Sequence, residues 1–566
     1  MAYIKGDDRR QHILFPDCIE DYVEQDAPVR LFDAFVDKLD MEQLGFQRFI
    51  PAETGTPGYD PRDLMKLYIY GYFYAIRSSR KLARECRCNV ELMWLLCKLT
   101  PDFRTIADFR KDNKSAVEKT YKELNRFCQK LKLFSKSYIS IDGSKFKAVN
   151  AKDRNFTLSK LDDRISRLDE HIAMYMEELD AMDAEEGRKL SREDVEHKLD
   201  VCRKRKDLYE GYRNRLEESG EKQLSLTDSD ARLMKANEGF IVGYNTQMAV
   251  DAVSHLIAGY DVTNSPTDHG HLTSLSSEVK EDFGVAILEN TADKGYECPE
   301  DHSNALASGI IPNVIQRNGG CTEEVAFDYH ETEISDGQKA STSPEDLKAC
   351  LEAGVIPDAY KDVLTDAKVE ERKTYVADIP DSDVLKMTDG EMKAKASEGY
   401  FVRDPERNLV YCPQGGVLRP KSVKPNGMIR YYNKLACKHC KNRCTAAKHK
   451  ECDFSKDKLV ILAKGYKPQA PTGDGKDRPK PSPQNRKAEV KKTVKYVLHL
   501  DENKMNQRKC LSEHPFGTLK RSLGQYYFLL KGFAKVSAEM ALFCLSYNLR
   551  RIINMKGVPE LVAALR

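Results

Sequence analysis

The order of strand and helix signals between residues 138 and 315 restricts this chain more than any other feature. Tyr138-Ile139-Ser140-Ile141 alternates apolar and small residues, the period of a half-buried strand, and runs into Asp142-Gly143-Ser144-Lys145. The spacing predicts a strand that closes on Asp142. A carboxylate at the end of a central strand is fixed by the sheet and still reaches solvent, where it can hold a hard divalent cation through oxygen. An Asp-Gly pair also opens ordinary turns, so the acid gains meaning only if others arrive beside it. Strand signals return at Ile241–Asp251 and His255–Val262, with a turn over 251–254 that makes them an antiparallel pair. Asp268 to Asp282 reads as a helix; His269 and His271 sit two apart, on different helix faces, and are not a ligand pair. The run 286–292 is again a strand, closing on Asp293-Lys294-Gly295-Tyr296. Pro299 starts another helix and Ile310–Ile315 a further short strand. Strand, strand, strand, helix, strand, helix, strand is an α/β order that can set two strand-end acids side by side.

At 566 residues the chain exceeds one hydrophobic core, and three or four domains are expected. Residues 1–135 read as a helical N-terminal domain. Asp60-Pro61 starts an aromatic-rich helix, and the basic stripe Arg77, Arg80, Lys81, Arg84 and Arg87 follows it. Short helices with a basic stripe suit DNA contact, and equally a bundle with a solvated face. The core's first half spans 136–320. Inside it, 156–220 carries two long amphipathic repeats, from Leu158 to Leu179 and from Val195 to Leu216, parted by the polar 183–187. They predict an inserted antiparallel helical hairpin, with Ser191–Asp194 in capping-box form. Residues 321–500 form a second insertion of split charge. Residues 321–400 hold 20 acids against 9 Lys or Arg, while 411–500 hold 22 Lys or Arg against 6 acids. The basic half contains Cys412, Cys437, Cys440, Cys444 and Cys452, with His439 and His449 nearby. Grouped thiols in a reducing compartment suit one tetrahedral, structural zinc, with Cys412, Cys437, Cys440 and Cys444 as expected ligands and Cys452 in reserve. Residues 464–487, rich in Pro, Gly and Lys, read as a basic linker.

Residues 501–566 close the core. Glu513 is expected on a helix, with Lys520 two turns later on nearly the same face and Arg508 and Lys509 before it. The N-terminal residues lack an apolar signal core, and no apolar run approaches a membrane span. A cytoplasmic location without membrane contact is therefore expected.

Asp142-Gly-Ser-Lys, Ala292-Asp293-Lys-Gly-Tyr and Glu513-His-Pro-Phe-Gly-Thr-Leu-Lys520 resemble the three acidic motifs of DDE transposases from bacterial insertion sequences. The resemblance spans nearly the whole chain and implies an RNase H-like mixed-sheet core, an α/β fold. It implies that Asp142, Asp293 and Glu513 are catalytic and bind two magnesium (or manganese) ions. It implies recognition of double-stranded DNA at terminal inverted repeats and assembly as a homodimer or higher oligomer on paired ends, at the nucleoid. Candidate DNA contacts are Arg77, Arg80, Lys81, Lys145, Lys294, Arg508, Lys509, Lys520 and Arg521. Many relatives place Tyr and Arg ahead of the glutamate, in the spacing Tyr-x2-Arg-x3-Glu-x6-Lys; here those positions are Asn506 and Lys509. Two alternatives remain open: an RNase H-like nuclease that cuts without joining, and a zinc-dependent DNA-binding regulator whose acids are structural.

Overall fold

The computed structural model describes residues 18–51, 57–182, 192–236, 239–375, 384–424, 427–440, 444, 451–455, 457–463 and 488–566. The polar break at 183–187, Ser191, His449 and the linker at 464–487 lie outside them.

Seven helices come first: α1 (Pro28–Asp37), α2 (Met41–Leu44), α3 (Pro61–Phe73), α4 (Ser79–Cys88), α5 (Val90–Leu95), α6 (Phe103–Asp112) and α7 (Lys114–Lys130). Asp60 caps α3 by accepting from the Arg62 N–H at 2.8 Å, with Pro61 in the first turn. The strands of the core are β1 (Tyr138–Lys147), β4 (Arg232–Ala236), β5 (Gly239–Asp251), β6 (Ile257–Thr263), β7 (Leu288–Ala292) and β8 (Ile310–Val314); β2 (Asn155–Phe156) and β3 (Leu224–Ser225) form a separate two-stranded ribbon. Helix α10 (Leu272–Phe283) precedes β7 and α11 (Pro299–Ala307) precedes β8. The strands and helices read from the sequence appear in that order, and the structure adds β4 at the sheet edge and the β2–β3 ribbon.

The sheet runs β4-β5-β1-β7-β8, with β6 also on β5. β1, β5 and β6 pair antiparallel, while β7 and β8 run parallel to β1. An antiparallel meander followed by two parallel strands on the far side of β1 is the RNase H-like arrangement. β5 is long enough to carry β4 along its first half and β6 along its second. The hairpin inserted after β1 consists of α8 (Leu158–Met182) and α9 (Arg192–Ser219).

One continuous cluster of buried apolar side chains joins the N-terminal helices, the sheet and the closing helix Phe533–Lys556. Tyr72 of α3 stacks near Phe543 of that helix, with ring centroids 5.6 Å apart. The N-terminal helices thus share the core of the sheet instead of enclosing one of their own. A second cluster lies under a three-stranded sheet of β9 (Thr322–Asp328), β10 (Leu364–Tyr375) and the strand Ala488–His499. The cysteine segment folds as a six-stranded sheet between Tyr400 and Leu462. Among the described residues, no helix is long and apolar enough to cross a membrane.

Candidate active site at the β1–β7 edge

β1 does not stop at Asp142, as its alternation suggested, but continues to Lys147. Its outer half stays extended because it pairs with β5 as far as Gly243. β7 ends earlier, at Ala292. The sheet therefore opens on the β7 side at Asp142, and the acid lies at a strand edge although its own strand runs on. The parallel register pairs Ser140 with Thr291. Asp293 follows Asp142 by the same offset as Thr291 follows Ser140, so the register brings the two aspartates level two residues past the ladder. Neighbouring strands are about 4.8 Å apart, which sets the two carboxylates as near neighbours. Buried Ile139 and Ile141 anchor one strand, and Asn290, Thr291 and Ala292 the other.

Each carboxylate is tied locally. Asp142 Oδ1 accepts from the Gly143 N–H at 2.8 Å, and Asp293 Oδ1 accepts from the Gly295 N–H at 2.7 Å as the cap of a single 3-10 turn, Lys294–Tyr296. Burial pushes the Asp142 carboxyl up to about 6; the Arg508 guanidinium and the Gly143 N–H pull down, and the charges of Asp293 and Asp268 push up. Crowded acids in a shielded edge hold protons tightly unless cations arrive.

The third acid comes from the helix Glu502–Gly517, capped by Asp501. Arg508 on this helix is 7 % exposed and reaches both sides of the site. Its Nη1 lies 3.4 Å from Asp142 Oδ2 and its Nη2 3.8 Å from Glu513 Oε1. Ser512 Oγ adds a donor 3.4 Å from Asp142 Oδ2. Glu513 is exposed, on the solvent side of Arg508. The cation ahead of the glutamate that touches the acids is thus Arg508, while Lys509 is exposed. Lys520, in the wide turn Thr518–Ser522, donates from Nζ to Ser144 Oγ at 2.6 Å and to the Lys145 carbonyl at 2.8 Å, and lies over the Phe146 ring. Lys294 and Arg521 are exposed, the first beside Asp293 and the second beside Lys520.

Asp268 was not singled out by sequence reasoning, which placed it at a helix start. The helix begins later, at Leu272, and Asp268 lies in the loop before it. Its Oδ1 accepts from Asn245 Nδ2 at 2.7 Å and Gln247 Nε2 at 2.8 Å, and Lys145 Nζ lies 3.5 Å from its Oδ2. The available signal was the β5 alternation: Asn245 and Gln247 are polar side chains in a strand whose second half is wholly buried. Among the described residues, no group of three or more His, Cys, Asp or Glu side chains is placed to hold a metal ion. Asp293 and Asp268 both lie near enough to Asp142 for their charges to raise its carboxyl, and Glu513 stands apart across Arg508.

Of the basic stripe, Arg77 is buried. It donates to the Tyr527 carbonyl at 2.7 Å, covers the Tyr527 ring and faces buried Glu539 at 3.7 Å. Its charge is matched inside the protein, unlike that of a DNA contact. Arg80, Lys81, Arg84 and Arg87 of α4 are exposed.

In the cysteine segment, Cys412 opens a turn closed by the Gly415 N–H to the Cys412 carbonyl at 2.9 Å, with Gly415 at φ +71°. The Gly416 N–H donates to Cys412 Sγ at 3.2 Å. Burial pushes this thiol up, N–H groups of Gln414 and Gly416 oppose that, and the neighbouring Cys437 and Cys440 thiols add to it. Cys437, Cys444 and buried Cys452 belong to the same packed cluster.

Residues 17–112 match the family model described as "Transposase domain (DUF772)". No curated protein and no solved structure matches the chain. The N-terminal helices, which share their core with the acid-bearing sheet, are thus similar to a transposase domain.

Proposed function

We propose that this protein is a DDE-type transposase that binds the terminal inverted repeats of its element, cleaves DNA at the ends and joins them to target DNA. The observation that carries the reading is the parallel register that aligns Asp142 with Asp293, beside a helix bearing Arg508 and Glu513. A transposase domain built into the same core supports it.

The donor set fits hard divalent cations. Oxygen ligands dominate, and burial pushes the Asp142 carboxyl up to about 6, with the charges of Asp293 and Asp268 adding to it. Asp142, Asp293 and Glu513 would hold magnesium or manganese, two ions in all, which when bound activate an attacking hydroxyl and stabilise the leaving oxygen of a phosphodiester. The chain's own groups have separable tasks. Arg508 holds Asp142 and Glu513 within reach of one guanidinium. Lys520 braces the outer half of β1 through Ser144 and Lys145. Exposed Lys294, Lys509 and Arg521 line the same edge and suit backbone phosphates; Arg80 and Lys81 suit DNA at a distance from it. Zinc, held by Cys412, Cys437, Cys440 and one of Cys444 or Cys452, would be structural, since a closed thiolate site leaves no open position. The protein would act as a homodimer or larger assembly on paired ends, in the cytoplasm at the nucleoid.

The deciding experiment incubates purified protein with magnesium, its flanking element ends and a second duplex. Cleaved ends joined to the second duplex support the transposase. Cleavage without joining identifies a nuclease, and binding without cleavage identifies a regulator.

A further inference from the structure

Asp268 is built into the acidic edge and is not an incidental neighbour of it. Gln247 presents its Nε2 to Asp268 because its Oε1 is taken by the hydroxyl of buried Tyr296. Asn245 also presents its Nδ2 to Asp268 Oδ1. Two amides therefore fix Asp268 Oδ1 and leave Oδ2 turned toward Lys145. Two glycines make room for this carboxylate. A Cβ on Gly143 would lie 2.6 Å from Asp268 Oδ1. On Gly295 it would lie 2.8 Å from Asp293 Oδ1 and 3.3 Å from Asp268 Oδ2, so these two oxygens are separated by no more than the sum of those distances. A side chain at Gly143 would collide with Asp268 and Gln247, and one at Gly295 would enter the space between Asp293 and Asp268.

A second observation points to a missing positive partner. Asn245 is fully buried, and its Oδ1 has no hydrogen-bond partner among the described residues. That oxygen belongs to the same amide as the Nδ2 that donates to Asp268, so it lies near that carboxylate. A buried acceptor without a donor is unfavourable, and next to a carboxylate a cation is the partner that would meet its need.

The geometry points to a divalent-cation position held by Asp293, Asp268 Oδ2 and Asn245 Oδ1, with the Lys145 ammonium standing in for the ion at rest. Two carboxylates and an amide oxygen suit magnesium or manganese, which keep several waters when bound to protein. The inference rests on the proposed metal-dependent reading and gives one of its two ions two ligands, Asp268 and Asn245, from outside the acidic triad. Lys145 then acts as a competitor of the ion and not solely as a phosphate contact.

The test is manganese titration of the full-length protein without DNA, read by the electron paramagnetic resonance signal of free ion. Wild type is expected to bind two ions per chain. Asp268→Asn, nearly isosteric, should weaken one of them at least tenfold, and Lys145→Met should tighten the same one at least threefold. If wild type binds no manganese, the metal-dependent reading itself falls. If wild type binds two and Asp142→Asn loses binding while Asp268→Asn and Lys145→Met bind as wild type does, the triad reading stands and this assignment is overturned. Should Asp268→Asn fail to fold, Lys145→Met decides alone, because an aspartate that only braces β5 gives no change in ion affinity when the lysine is removed.

Discussion

Asp142→Asn separates the chemistry of the edge from its folding, because the two effects have opposite signs. Burial raises the Asp142 carboxyl from 3.8 to about 6 in the folded chain. An acid whose folded value lies above its unfolded one binds its proton more tightly when folded. Its ionisation therefore costs nothing below pH 4 and destabilises increasingly as pH rises from 4 to 6, with the full cost above that. At 1.36 kcal/mol per unit, the shift corresponds to roughly 3 kcal/mol at pH 8. Asparagine removes the charge while keeping shape, at the expense of the Arg508 contact at 3.4 Å, so a net gain of about 2 kcal/mol is expected. For a cooperative unit of ~200 residues that is a rise of about 6 °C in Tm. Scanning calorimetry at pH 8 and pH 4 without divalent ions measures it: the variant should melt higher at pH 8 and level with wild type at pH 4. In the end-cleavage assay the same variant should be inactive. Equal or lower stability at pH 8 would refute the picture of an edge strained by uncompensated acids, and retained cleavage would remove Asp142 from the catalytic set.

Three further outcomes are expected. Arg508→Met should destabilise by roughly 3 kcal/mol at pH 8 through the unpaired acid it leaves behind, and Asp142→Asn should recover most of this in the double variant, read by the same melts. Arg80→Ala with Lys81→Ala should lower DNA affinity and reduce the salt slope by about two, whereas Arg77→Met should lower Tm and leave that slope unchanged, as filter binding across a salt series will show. Elemental analysis should find one zinc per chain, lost when Cys437→Ser and Cys440→Ser are combined; equal zinc in the variant would exclude these thiols as ligands.

Much of the core was legible because its signals are local. The alternation in Tyr138–Ile141 and the Asp60-Pro61 start act over a few residues. Each therefore holds whatever the rest of the chain does. Where a strand ends is not a local matter. β1 outruns Asp142 because β5, about a hundred residues later, pairs with it as far as Lys147. Asp268 looked like a helix cap because its partners Asn245 and Gln247 sit on another strand. Arg77 reads like its neighbours Arg80 and Lys81, and only burial against Tyr527 and Glu539, some 450 positions on, separates them. The N-terminal helices read as a domain of their own because amphipathic spacing shows that a face is buried and not against what.

The amino-acid order alone fixed the strand and helix succession and the positions of three acids, since periodicity and turn chemistry need only near neighbours. The alignment of Asp142 with Asp293, the guanidinium set between Asp142 and Glu513, and the fourth carboxylate at Asp268 came from packing. Each depends on segments far apart in the chain meeting in one register. That register is chosen by the burial of the whole sheet and not by the acids themselves.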